Sequence, residues 1–219
     1  AWMITATIFV LMMTPGLAFF YGGMVRAKNV ISTMLQSFIV MGVVSVIWVV
    51  FGFGLAFGDD IGGLIGNPVQ FLMLNNVGCD NMVGLDKSTI GMATTTIPLA
   101  LYALFQMKFA IITPSLITGS FAERVKFSGY VVFMSLWTIL VYCPLAHWTW
   151  HPDGFLSVMH VHDFAGGIVV HAASGVAALA GALFLGKRKN EDGKAANIPF
   201  VLLGAALLWL GWFGFNGGS

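Results

Sequence analysis

Six long apolar stretches run through the sequence and decide the solvent in which this chain can fold. They cover residues 1–24, 30–57, 90–121, 128–149, 163–186 and 198–219. A bilayer core is crossed by a helix of about 20 mostly apolar residues, and each stretch reaches that length. Only 9% of the residues are charged, against about 25% in a soluble domain. The sequence therefore predicts an all-α integral membrane protein, a polytopic bundle of helices.

The charged residues are distributed unevenly between the connections, which predicts an orientation. Eight of the ten basic residues follow the first, third and fifth stretches: Arg26, Lys28, Arg124, Lys126, Lys187, Arg188, Lys189 and Lys194. The remaining connections hold the following acidic residues beside Lys87: Asp59, Asp60, Asp80, Asp86 and Asp153. Since basic residues accumulate in cytoplasmic loops, we expect the N-terminus to be extracytoplasmic. We expect the protein to lie in the cell membrane. The net charge of +1 provides no basic surface for nucleic acid.

The two ends of the sequence lack the segments that usually flank membrane spans. Ala1 stands where an initiator Met is expected, so we expect a removed signal peptide or a trimmed chain. Pro199 is well placed to begin the sixth helix. That stretch stops at Ser219 before any polar loop, and we expect the sequence to be truncated.

Three aromatic side chains on different stretches are predicted to lie at one depth. Counted at about 1.5 Å per residue from the inner ends, Phe109 lies at about 21 Å, and His171 and Phe215 at about 24 Å. A single Phe among the 19 in the chain usually packs in the core or faces lipid. The shared depth therefore singles out Phe109 and Phe215. His171 has no evident structural role within so apolar a stretch, which favours a functional one.

A more polar tier is predicted above these rings. By the same count Ser219, Trp150 and Asp163 lie at about 30–36 Å. Asp163 is well placed to cap the fifth helix, which leaves room for a second role. Trp150 suits the aromatic belt found at membrane surfaces. Lys108 lies on a different helix face from its neighbour Phe109. The sequence suggests no partner for its charge.

A cluster of histidines suggests a metal site as an alternative. The candidate ligands fall within seventeen residues: His147, His151, Asp153, His160, His162 and Asp163. The i, i+4 spacing of His147 and His151 suits two ligands on one helix face. The helix ends there in a His-Pro-Asp-Gly turn, however, so we expect no metal. Cys79 and Cys143 are far apart and predict neither a disulfide framework nor a zinc site.

Five ordered motifs resemble those of the ammonium transporter, methylammonium permease and Rhesus protein family. They are PGLAFFYGGMVRAKNV (15–30), FQMKFAIITPSLITGSFAERVKFS (105–128), LAHWTWHPDGFL (145–156), HDFAGGIVVHAASGVAAL (162–179) and LLWLGWFGFNGGS (207–219). The resemblance implies an eleven-helix fold of two inverted five-helix repeats, assembled as a homotrimer in membrane lipid. Residues 1–219 would then form one transmembrane domain, with the first repeat at 1–186 and the opening helix of the second at 198–219.

The resemblance also implies roles for the residues already singled out. Trp150, Phe105 or Phe109, and Ser219 would recruit ammonium or methylammonium, with Asp163 nearby. Phe109 and Phe215 would close the gate below that site, and His171 would be the first of two pore histidines. These roles describe a transporter without catalytic residues or a cofactor.

Two rival functions remain open on the sequence. Some members of the family are ammonium sensors, in which the membrane part is joined to a cytoplasmic signalling domain. A transporter would instead carry a short tail and could be regulated by a PII-type protein. A membrane metalloenzyme using the histidines of 147–163 is the third alternative.

Overall fold

A computed structural model describes residues 1–80, 97–188 and 194–219, and these residues form the expected bundle. Within the described ranges, six helices are long and apolar enough to cross a membrane. They are α1 (Trp2–Met24), α2 (Ala27–Phe57), α3 (Leu99–Phe121), α4 (Phe127–Val158), α5 (Gly167–Leu185) and α6 (Ile198–Gly218). The chain is a multi-pass membrane protein. Asp86, Lys87 and Lys189 lie outside the described residues.

The helix boundaries follow the apolar stretches, with differences that have local causes. Helix α3 begins at Leu99, after Pro98, rather than at residue 90, and residues 90–96 are not described. Helix α5 begins at Gly167 rather than 163, because the intervening residues form a turn that caps it. The continuous part of α4 ends at Trp150 and is followed by a separate turn, Phe155–Val158. Helix α6 begins as expected beside Pro199.

Helices α1 and α6 pack antiparallel along most of their length. The Trp2 indole donates to the Gly217 carbonyl at one end, at 2.7 Å, and the Asn197 amide donates to the Gly23 carbonyl at the other, at 3.0 Å. Between these points, Gly214 approaches α1 so closely that a Cβ would lie 2.6 Å from the Ala6 carbonyl oxygen. Small residues allow such close approach in membranes, where helix association depends on packing.

Helix α3 lies inside the bundle, packed against α1, α2 and α5. In an 18-residue stretch of α3, 72% of the residues are buried, compared with 17% in α5 and 22% in α6. Helices α5 and α6 therefore leave most of their apolar surface uncovered within the described chain.

A small hairpin packs against the C-terminal end of α4. Strands β1 (Asp60–Ile61) and β2 (Ile65–Gly66) pair antiparallel. The indole of Trp148 donates to the Leu64 carbonyl, and the Phe155 amide donates to the Gly63 carbonyl at 3.2 Å. The loop after α2 is thereby attached to the last turns of α4.

At the opposite end, Glu123 ties the basic connections together. Its Oε1 accepts hydrogen bonds from the Arg26 amide and side chain, both at 3.0 Å, and from Asn29 at 2.7 Å. Its Oε2 lies 3.6 Å from Arg188. Burial by itself would raise the pKa of Glu123, but the Asn29 and Arg26 hydrogen bonds and the Arg26 charge lower it to about 2.

The close α1–α6 crossing predicts a strong effect of a single methyl group. We expect Gly214→Ala to destabilise the full-length protein by about 1–3 kcal/mol, because the new Cβ meets backbone and must separate the helices. The readout is the thermal unfolding midpoint in detergent. Gly42→Ala is the matched control, since nothing lies within 4 Å of its added Cβ; equal midpoints for both variants would contradict the prediction.

The Glu123 network predicts a specific acid sensitivity. Because its pKa is depressed from 4.5 to about 2 in the folded protein, its stabilisation is complete above pH 4.5 and is lost as the pH falls through 2. We therefore expect unfolding free energy to fall more steeply between pH 4.5 and 2 in the wild type than in Glu123→Gln. Parallel pH profiles of the two proteins would show that the network contributes nothing.

Candidate functional site

Four aromatic rings from three helices meet near the end of the bundle at which α1 begins. Phe109 of α3 is the centre: its ring centroid lies 4.8 Å from Phe105, 4.4 Å from Phe215 and 6.0 Å from Trp150. Phe109 and Phe215 are fully buried. The predicted common depth of Phe109 and Phe215 thus corresponds to direct contact between their rings. We call these four residues the aromatic cluster.

His171 lies on the side of the cluster formed by α6. Its ring centroid is 5.7 Å from that of Phe215, and it stacks on Trp212 at 5.4 Å with an interplanar angle of 18°. The imidazole is exposed at the surface of the described chain. Sequence reasoning missed Trp212, although its position three residues before Phe215 places both on one helix face.

Asp163 caps α5 with its whole carboxylate. Oδ1 accepts from the amides of Gly166 and Gly167 at 2.6 and 2.8 Å, and Oδ2 from those of Ile168 and Val169 at 2.8 and 3.0 Å. The first amides of a helix have no partner within the helix, so this cap satisfies all four. Gly166 allows it by taking φ +85°. The capping role expected of Asp163 is confirmed.

The cap also fixes the neighbouring functional candidates. The Trp150 indole donates to the Asp163 carbonyl at 3.1 Å, so Trp150 is held from both sides, by this bond and by Phe109. The first turn of α5, Gly167–Ala172, is a π-helix that contains His171.

Ser219 stands at the end of α6 above the cluster. Its hydroxyl donates to the Phe215 carbonyl at 2.6 Å, which leaves the oxygen lone pairs as acceptors. The preceding Gly218 packs directly on the Phe105 ring, where a Cβ would lie 2.6 Å from the ring edge. Ser219 is therefore joined to the aromatic cluster through both Phe215 and Phe105.

The arrangement combines groups that suit a small cation. Aromatic faces attract cations, and the Ser219 oxygen can accept from an N–H donor. Asp163 adds negative charge near Trp150. Lys108 lies half-buried beside Phe109, and the described part of the chain gives it no ion-pair partner.

The histidines do not form a metal centre in the described residues. No three His, Cys, Asp or Glu side chains come together there in a way that could hold an ion. His147 and His151 do share a helix face, with rings stacked 4.4 Å apart. His160 and His162 are exposed in the loop that follows.

The Asp163 cap predicts a local loss of protection. We expect Asp163→Ala to cost about 2 kcal/mol or more, because it leaves backbone amides without acceptors. Amide hydrogen exchange over Gly166–Val169 should accelerate in the full-length protein, while Asp163→Asn, which keeps one carbonyl oxygen as an acceptor, shows a smaller effect. Wild-type exchange rates in the Ala variant would refute this account.

Comparisons with known proteins agree with this architecture. The sequence matches the profile of the Ammonium Transporter Family over residues 1–219. It is 47% identical over 235 residues to a Mycobacterium tuberculosis protein named ammonium transporter, with 100% of this chain and 49% of that protein aligned.

Two solved structures share the fold. The crystal structure of Candida albicans Mep2 is 34% identical, has a TM-score of 0.85, and aligns with 99% of this chain and 47% of its own. A structure titled Sensor Amt Protein is 31% identical, has a TM-score of 0.83, and aligns with 99% of this chain and 53% of its own. The chain thus spans about half the length of these relatives. It belongs to the ammonium transporter family.

Proposed function

We propose that the protein containing this chain carries ammonium or ammonia across the cell membrane, with its N-terminus extracytoplasmic. The observation that carries the proposal is the aromatic cluster beside the Asp163 cap. Three helices bring its rings to one point, and the His171 ring of α5 lies 5.7 Å from that of Phe215. Family membership supports the same substrate.

Recruitment of the ion is assigned to the outer face of the cluster. Trp150 and Phe105 offer π surfaces to a cation, and Ser219 offers an acceptor to one of the four N–H groups of ammonium. Methylammonium keeps three such groups and the charge. Asp163 contributes a favourable potential, although its oxygens are engaged by backbone amides.

Phe109 and Phe215 are assigned the role of a gate. With ring centroids 4.4 Å apart and both side chains fully buried, they leave no passage for a hydrated ion in this conformation. A bare cation pays a large desolvation cost in an apolar pore. Ammonium can release a proton and continue as neutral ammonia while the proton is relayed separately through the pore and rejoins ammonia on the far side, so that one charge crosses per ammonium ion. Potassium has no such option, and this difference gives selectivity.

His171 is assigned to the pore beyond the gate. A neutral imidazole has one donor and one acceptor nitrogen, so it can bind ammonia or relay a proton. Its stacking on Trp212 fixes the plane of the ring, and therefore the direction in which both nitrogens act.

We further propose that this chain forms one half of an eleven-helix protomer. Residues 1–186 would be the first of two inverted repeats, and 198–219 the first helix of the second. The low burial of α5 and α6 and the half-length alignment with relatives support this. The other repeat would cover His171, three protomers would assemble in lipid, and a PII-type protein would regulate them.

An ammonium sensor is the second candidate, favoured by the similarity to the structure titled Sensor Amt Protein. A sensor would bind ammonium at the same cluster and pass the signal to a cytoplasmic domain. It differs from a transporter in sustained flux, which is the property to measure.

Solid-supported-membrane electrophysiology on the full-length protein in liposomes separates these functions. Transport predicts a sustained current with ammonium and methylammonium and none with potassium. A brief binding transient, together with no uptake of methylammonium into the liposomes, would overturn transport in favour of sensing.

Variants of the site test the assigned roles. We expect His171→Ala to reduce the ammonium current by about tenfold or more, since proton-transfer groups contribute factors of about 100 or above. Phe215→Ala should admit potassium through the opened gate. Phe38→Ala is the control, because this ring lies on α2, outside the aromatic cluster, and is 42% exposed. Intact ammonium current and potassium exclusion in both site variants would remove His171 and Phe215 from the mechanism.

A further inference from the structure

His147 is a fully buried histidine whose two ring nitrogens both contact oxygen atoms. It lies near the outer end of α4 and is 0% exposed. Nδ1 is 3.0 Å from the Ala56 carbonyl oxygen at the end of α2. Nε2 is 2.9 Å from Oδ1 of Asp60 in the hairpin. The proposed transport mechanism gives this residue no role.

These two contacts fix the number of protons in the pair. A carbonyl oxygen can only accept, so Nδ1 carries a proton. A second proton lies between Nε2 and the Asp60 carboxyl group, because two bare acceptors would repel. The Gly63 amide donates to both Asp60 oxygens, at 2.8 and 2.9 Å, which favours an ionised carboxylate. The contacts suit an imidazolium paired with a carboxylate.

The surroundings of the pair agree with this charge state. Burial by itself would raise the pKa of Asp60, but the hydrogen bonds from His147 and Gly63 and the nearby histidine charge lower it. His151 stacks on His147, so a second positive charge there would be repelled. Its Nδ1 accepts from the Asp153 amide at 3.2 Å, as a neutral ring can. Asp59 and Asp153 are the other charged groups facing this histidine pair.

The ion pair lies within one helical turn of Trp150. His147 and Trp150 are three residues apart, on the last turn of α4. The hairpin holds this turn on one side, through Asp60 and through the Trp148 and Phe155 bonds. The Asp163 carbonyl holds Trp150 on the other side. The position of Trp150 against Phe109 therefore depends on where the hairpin anchors α4.

We propose that the His147–Asp60 ion pair is a latch that positions Trp150 over the aromatic cluster and thereby sets the affinity of the outer site for ammonium. The inference rests on the proposed function. His147 and Asp60 are positioning residues, since neither touches the cluster. The latch joins the ends of α2 and α4 through two side chains. The other hydrogen bonds between the hairpin and α4 described above go to backbone carbonyl groups of the hairpin.

The first test compares two adjacent aspartates in the full-length protein. Asp60→Ala leaves Nε2 of the buried His147 ring without a partner, and a hydrogen bond to a charged group is stronger than one between neutral groups. We therefore expect the apparent KM for ammonium to rise about tenfold. The maximal current should change less than about twofold. Asp59→Ala is the matched control. Its carboxylate bonds only Gln70 among the described contacts, at 3.0 Å, and its KM should match that of the wild type.

Asp60→Asn is expected to restore part of the ammonium affinity that Asp60→Ala loses, because it restores the hydrogen bond to His147. The Asn amide can donate to Nε2 of a neutral His147 while Nδ1 still donates to Ala56, so both bonds survive without the charge. We expect a KM between those of the wild type and Asp60→Ala. A KM in Asp60→Asn as high as in the Ala variant would show that the charge itself is required, and would still support the latch.

Nitrogen-15 NMR of the histidine side chains reads the pair independently of transport. In the wild type near pH 7, we expect protons on both ring nitrogens of His147; in Asp60→Asn, Nε2 should lose its proton. A bare nitrogen in wild-type His147 would overturn the ion pair, even where Asp60→Ala fails to fold. Wild-type KM in a folded Asp60→Ala would overturn the positioning role.

The two proposals fail in different ways. Absence of any ammonium-dependent current or binding in the wild type overturns the proposed function, whatever the NMR shows. Normal wild-type transport with a neutral His147, or with a KM insensitive to Asp60→Ala, overturns the latch alone.

Discussion

The aromatic cluster depends on how the first amides of α5 find acceptors. A backbone N–H that loses contact with water and finds no acceptor costs about 1–3 kcal/mol. Asp163 satisfies four of them at once, and its own carbonyl accepts from Trp150. One residue therefore begins the helix that carries His171 and also anchors the indole that lies over Phe109. The Asp163 carboxylate that caps α5 is also the negative charge near the aromatic cluster. This charge therefore has a structural reason to be there.

Close packing of α1 and α6 determines where the other rings lie. Gly214 has no side chain, which allows α6 to approach the Ala6 backbone and places Phe215 of the same helix against Phe109 of α3. The rings then fill the space between helices that small residues have brought together. The aromatic cluster is thus a consequence of helix packing as much as of the aromatic residues themselves. The latch at His147 and Asp60 acts on the same cluster from the hairpin that follows α2.

Much of the site could be predicted from the sequence because membrane helices have a fixed rise. Counting along each stretch placed Phe109, Phe215 and His171 at one level, and two ring contacts, Phe109–Phe215 and Phe215–His171, confirm that Phe215 lies beside both others. The start of α5 was misplaced by four residues, since an apolar stretch does not show where a capping turn ends and the helix begins. The role of Trp212 was missed for another reason: depth says nothing about which face of a helix a residue occupies.

The sequence by itself determined that the chain crosses a membrane with six apolar helices, and roughly where each lies, because hydrophobic length and charge distribution are local properties. Only the tertiary structure decided which side chains meet. Asp60 and His147 are 87 residues apart, and no periodicity connects a loop aspartate with a histidine at a helix end. Their pairing follows from the hairpin folding over α4.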